Sequence, residues 1–202
     1  AFRANPGVSN ERAIVLENIT GDITLANIGN ASLIDARDRV VNLEVNNGAI
    51  DFANGGTIEA TQPIASADAT AADNYAVRLI RSGSSASFDV VTNSGAIIST
   101  SDHAVLAEDL VCDDDRAEDA YCFTNSGSMT AARQFAFVAD NISDFSMTNS
   151  GTITARDRTF DANDLSGDIV IHSASAIRAT YFFDPLYVDP DTDSYVMRLA
   201  KE

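Results

Sequence analysis

The sequence predicts an all-β fold: a right-handed parallel β-helix with three short strands per coil of about 24–27 residues. Three observations lead there. The stretch Thr-Asn-Ser-Gly occurs three times, beginning at Thr92, Thr124 and Thr148. The segments between copies are short β-type alternations broken by Asn, Gly, Ser and Asp. No segment carries the amphipathic pattern that helical repeats require.

The period comes from the copies. TNSGAI, TNSGSM and TNSGTI place glycines at 95, 127 and 151, and a degraded copy, HSASAI, runs from His172 to Ile177. The last two intervals are 24 residues and the first is 32, so the longer coil holds eight extra residues. The segment bounded by Cys112 and Cys122 supplies them. Looser copies come earlier: VNNGAI from Val45, ANGGTI from Ala53 and ANIGNA from Ala26. Gly21 to Gly48 and Gly29 to Gly56 both span 27 residues. Three strands of about five residues with three turns fill such a coil, and successive coils then lie about 4.8 Å apart.

Each strand is expected from its period-two pattern. After the glycine come Ile97 and Ser99, Met129 and Ala131, and Ile153 and Ala155, with Ile50 and Phe52, and Ile58 and Ala60, as earlier equivalents. A second strand reads Ala104 and Leu106, Ala136 and Val138, and Phe160 and Ala162. A third precedes the motif as Tyr121 and Phe123, Phe145 and Met147, and Ile169 and Ile171. In earlier copies it shifts by one residue, to Val41 and Leu43 and to Phe88 and Val90, which implies a bulge nearby.

The motif is turn chemistry. Gly95, Gly127 and Gly151 are expected to supply a positive φ. Asn93, Asn125 and Asn149 are expected to stack as an amide ladder, with Asn46 as an earlier member.

T-N-S-G-x-I followed by a short Ala-containing strand resembles the passenger β-helices of bacterial autotransporters and haemagglutinin-like adhesins over residues 13–180. The resemblance implies a secreted or cell-surface protein. With the crossover preference of parallel strands, it also implies a right-handed helix. Residues 1–202 then form one solenoid domain or a segment of a longer one, with an inserted loop at 108–122 and an atypical segment at 181–202. The start, AFRANPGVSNER, has no charged region leading into an apolar one, as a signal peptide would.

Composition narrows the partners. Thirty acidic residues against thirteen basic ones give a net charge of −17, which disfavours nucleic acid and anionic membrane surfaces. No apolar run approaches the length of a membrane span. Cys112 and Cys122 flank one polar loop, as a disulfide staple would in an oxidising compartment; two unpaired thiols are the alternative.

Catalytic signatures are missing: there is no GxSxG, no Walker loop, and His103 and His172 lie 69 residues apart. Asp102, Asp109, Asp140, Asp144, Asp157 and Asp161 are abundant rather than specific. Asp189, Asp191 and Asp193 alternate like the first ligands of a calcium loop, but Ser194 and Ala200 stand where such a loop needs Gly and Glu. A looser Ca2+ site there is one expectation, and Asp113, Asp114 and Asp115 form a weaker one. Solvated acidic turns are the plain alternative.

The expected function is a non-catalytic adhesin, stalk or filament subunit. It would associate end to end, or with neighbouring domains of a longer chain, and bind surface glycans or proteins. A polysaccharide-degrading enzyme on the same scaffold is the first competitor. A tailspike-like or S-layer-type assembly module is the second.

Overall fold

Short alternating runs bounded by turn residues become strands, and each strand pairs in parallel with those one coil away. The structure, a computed structural model, describes residues 2–3, 12–37, 39–61, 75–83, 88–100, 103–112, 121–132, 135–156, 158–180 and 195–201. No helix occurs among them. The strands are β1 (Phe2–Arg3), β2 (Arg12–Thr20), β3 (Ile23–Asn27), β4 (Leu33–Ala36), β5 (Arg39–Asn47), β6 (Ile50–Asn54), β7 (Thr57–Ala60), β8 (Tyr75–Arg81), β9 (Val90–Asn93) and β10 (Ala96–Ser99). They continue as β11 (His103–Glu108), β12 (Phe123–Asn125), β13 (Ser128–Ala131), β14 (Phe135–Asp140), β15 (Ser146–Asn149), β16 (Thr152–Ala155), β17 (Arg158–Leu165), β18 (Val170–Ser173), β19 (Ile177–Ala179) and β20 (Tyr195–Lys201).

Every third strand joins the same sheet. The first sheet runs β1-β4-β7-β10-β13-β16-β19, the second β2-β5-β8-β11-β14-β17-β20, and the third β3-β6-β9-β12-β15-β18. The chain is a right-handed parallel β-helix with three strands per coil.

The core lies between the sheets as rows of stacked side chains. From the first sheet, Ile58, Ile97, Met129 and Ile153 lie in register and buried. The second sheet contributes Val77 and Leu79 in β8 but Phe137 and Ala139 in β14, so a large-plus-small pair replaces two of middling size. Phe137 stacks on Phe160 at 5.1 Å and meets Phe123 edge-on at 5.2 Å. Phe145 tilts against Phe123 from the third sheet.

The register corrects four expectations. In the second sheet, Phe160 lies opposite Phe137, not Ala136. The inward pairs are therefore Val105 with Ala107 and Phe137 with Ala139; Leu106 and Val138 face outward and are half-buried. The one-residue shift does not exist: Val41 and Leu43 belong to β5 in the second sheet, Val91 lies opposite both Phe52 and Phe123, and Phe88 is exposed. VNNGAI is not a copy of the corner motif, because β6 belongs to the third sheet and leads into the true copy at Asn54-Gly55-Gly56. Finally, Gly95, Gly127 and Gly151 do not adopt a left-handed φ. They are glycine because a Cβ on Gly127 would sit 1.9 Å from the Gly95 carbonyl oxygen, and one on Gly151 2.0 Å from that of Gly127.

The long coil has its insertion where the spacing placed it. Val111 lies opposite Ser143 and Phe123 opposite Met147, so twelve residues stand against four. The Cys112–Cys122 disulfide closes this excursion, with Cα atoms 5.4 Å apart.

Candidate functional site

Charged side chains gather on the outer face of the second sheet. Two of its central strands, β11 and β14, share one pattern: one residue outward, two buried, one outward, one buried, one outward. In β11 these are His103, Ala104 and Val105, Leu106, Ala107, Glu108. The buried doublet marks the bend out of the first sheet. Three outward rows result, running along the solenoid.

The first row holds Arg39, Tyr75, His103, Phe135 and Arg158. These planar groups stack on one another: the Arg39 guanidinium lies 5.3 Å from the Tyr75 ring centre, His103 is parallel to Phe135 at 5.1 Å, and Arg158 covers Phe135 at 5.5 Å. Arg78 also reaches over Tyr75, which is buried. The middle row holds Asn42, Arg78, Leu106, Val138, Asp161 and Arg198. The third row holds Glu44, Ile80, Glu108, Asp140 and Asn163.

The third row is an acidic strip. Partial burial pushes Glu108 above the usual carboxylate range; Arg78, 3.7 Å away, opposes the shift, and Asp109, Asp140 and Glu44 add to it. Asp140 is likewise raised, by burial first and then by Asp164 and Asp109. Beyond this strip the chain turns through Asp109, Asn141 and Asp164, all with left-handed φ of 58°, 50° and 48°. Asn and Asp tolerate that region better than other side chains. The Asn141 amide also donates to the Asp109 carboxylate.

A second array is internal. Asn27 Nδ2 donates to Asn54 Oδ1 at 2.8 Å, Asn54 to Asn93 at 2.9 Å, Asn93 to Asn125 at 2.8 Å, and Asn125 to Asn149 at 2.8 Å. Asn149 ends the ladder on the Ser173 hydroxyl. The same amides also reach corner carbonyls, such as Asn93 to Ser128 O at 3.1 Å. Asn46 stands outside this ladder, in β5, where its side-chain oxygen accepts from Ser82.

A buried ion pair escaped the sequence reading. Arg81 Nη1 lies 3.1 Å from Asp89 Oδ2, and both side chains are fully buried. Asp89 also accepts from the amides of Ile50 and Val111, each at 2.7 Å. Burial holds its carboxyl above the usual range despite these donors. The signal was present: counting back by twos from the inward Asn93 gives Val91 and then Asp89. The apolar Phe88 and Val90 pointed to the wrong phase.

Of the acids singled out earlier, Asp109, Asp140 and Asp161 come together on or beside the second sheet. Asp144 sits at another corner and accepts from the Asp168 amide. His172 lies opposite Thr148 and, through Nδ1, meets the Tyr121 hydroxyl at 2.6 Å. His103 is a member of the stacked row. Asp113, Asp114, Asp115, Asp189, Asp191 and Asp193 lie outside the described residues, as do Asp102 and Asp157. Among the described residues, no group of three or more His, Cys, Asp or Glu side chains has metal-holding geometry. Comparison of the chain with protein-family models, curated proteins and solved structures returns no match.

Proposed function

We propose that the chain is a non-catalytic solenoid of the extracellular space or bacterial cell surface, serving as a stiff spacer that presents an adhesive face. The observation that supports this reading is the buried ladder from Asn27 to Ser173, which spends the repeated motif on joining coils. A rod whose coils are stapled by side chains transmits force and projects what it carries. The charged outer face of the second sheet is the surface with the chemistry to bind glycans or proteins. The reading is tested by passing soluble polysaccharides and matrix proteins over immobilised protein. Retention without release of shorter saccharides is expected; turnover of any polysaccharide would sink it.

One observation favours the polysaccharide-degrading alternative. Glu108 and Asp140 lie opposite each other on neighbouring strands, both carboxyls are held above the usual range, and Arg78 stands beside Glu108. On that reading, saccharide release would vanish in Asp140→Asn. Release that survives the substitution removes this pair from consideration.

A further inference from the structure

The corner that joins the second sheet to the third is closed differently in successive coils. After β14 the backbone crosses it directly: Ser143 and Ser146 lie on the third-sheet side with Asp144 and Phe145 between them. After β11 the equivalent places are held by Val111 and Cys122, at the two ends of the long excursion. These two still face the preceding coil as neighbours in one strand would. The Val111 carbonyl accepts from the Asp89 amide at 2.9 Å, and the Val111 amide donates to Asp89 Oδ2 at 2.7 Å. The Cys122 carbonyl accepts from the Val91 amide at 2.8 Å. The short covalent path between the two ends runs through the Cys112–Cys122 disulfide. That bond does in this coil what Asp144 and Phe145 do in the next.

Asp89 depends on this arrangement. Its carboxylate accepts from the Ile50 amide in the coil before, from Arg81 in its own coil, and from the Val111 amide in the coil after. Arg81 and Asp89 are both buried, and a buried carboxylate is tolerated only while donors stand in for its water. The Val111 donor is held in place through the disulfide.

We propose that the Cys112–Cys122 bond is a redox latch on this corner, and that a dithiol reductant opens it. One thiolate of the reductant attacks a cysteine sulfur and forms a mixed disulfide; its second thiol resolves that bond. The reductant leaves as a disulfide, and its two electrons and two protons end on the Cys112 and Cys122 thiols. Val111 and Cys122 are then joined through the backbone of the excursion alone. Loop-closure entropy raises the population in which they part by up to about a hundredfold. Once they part, water reaches Asp89, and its hold on Ile50 and Arg81 loosens. The coils stay stacked, because β8 keeps its register with β11 and β10 with β13. Asn93 still donates to Asn125 at the far end of β9 and β12. Reduction therefore opens one corner and exposes a buried charge pair without parting the rod.

Amide hydrogen exchange on the intact chain, oxidised and after treatment with dithiothreitol, tests the latch. The amides of Val111, Val91 and Ile50 should exchange about tenfold or more faster after reduction. Those of Ser128 and Thr152, at the ladder corner, should change less than about twofold. Faster exchange at Val111 with Ile50 unchanged overturns the proposal, because Asp89 would then hold without its partner. Uniform acceleration along the chain, or none, overturns it as well. The rate of reduction gives a second reading. Both cysteines are buried, so a dithiol reaches them when Val111 and Cys122 part. Asp89→Asn should therefore speed reduction of the folded chain by about tenfold; an unchanged rate counts against Asp89 as the holding group and overturns the latch. Where Asp89→Asn loses its β-sheet spectrum, the exchange profile of the unaltered chain decides alone.

Discussion

Single side chains in this solenoid are felt in neighbouring coils. Asn125 accepts from Asn93 and donates to Asn149, all three nearly inaccessible to solvent. Asn125→Ala leaves a buried donor on one side and a buried acceptor on the other, each costing about 1–3 kcal/mol. Chemical denaturation should show a loss of about 2–4 kcal/mol; a loss below about 1 kcal/mol would mean that corner carbonyls or water replace the ladder. Ser99 gives the opposite case. It replaces alanine in the inward row of Ala60 and Ala131, and its buried hydroxyl has no hydrogen-bond partner among the described residues. Ser99→Ala removes that desolvated group and nothing else, so the same measurement should show a gain of up to about 1 kcal/mol.

At the scale of strands and corners, partial burial sets the charge state of the carboxyls on the second sheet. Glu108 and Asp140 have raised pKa values, so for each the protonated form is the better accommodated one in the folded chain. Their favourable contribution is complete below the usual carboxylate range and is lost as pH rises through the raised, folded-state values. Asp140→Asn makes that contribution permanent. It should raise the melting temperature by about 1–2 °C at neutral pH and by nothing near pH 3; an equal shift at both pH values would mean that the gain is not electrostatic. The Cys112–Cys122 bridge works locally as well. It closes a loop of sequence separation 10, next to the Val111 amide that Asp89 accepts from. Loop-closure entropy predicts a loss of about 2–3 kcal/mol on replacing both cysteines by serine. Spacing alone exposed this insertion, because an eight-residue excess stands out against a 24-residue repeat. The inward face of the second sheet was harder to read. Its paired buried residues break strict alternation at the bend, so Ala136 and Val138 looked like the inward pair.

For the molecule as a whole, the 24-residue period and three-strand path of the later coils were readable because the corner motif repeats nearly unchanged from Thr92 to Ile153. The outer face was not. Its pairing of Arg39 with Tyr75, or of His103 with Phe135, joins residues a coil apart that no local pattern links. The ladder's early members were hidden too, because Asn27 and Asn54 sit in degraded corners 27 and 39 residues from the next rung. The same architecture predicts how stability is distributed. Each coil contacts only its neighbours, so the described coils at either extreme have one supporting coil where the others have two. Inward residues register the difference: Leu43, Leu79 and Ala107 are fully buried, whereas Leu16 is 38% exposed and Leu199, in the same row, 46%. Amide hydrogen exchange should therefore be slowest in β8, β11 and β14, and faster toward β2 at one end and β18 to β20 at the other. If β20 exchanged as slowly as β11, the outermost coil would have to be covered, and the one-dimensional picture of its stability would be wrong.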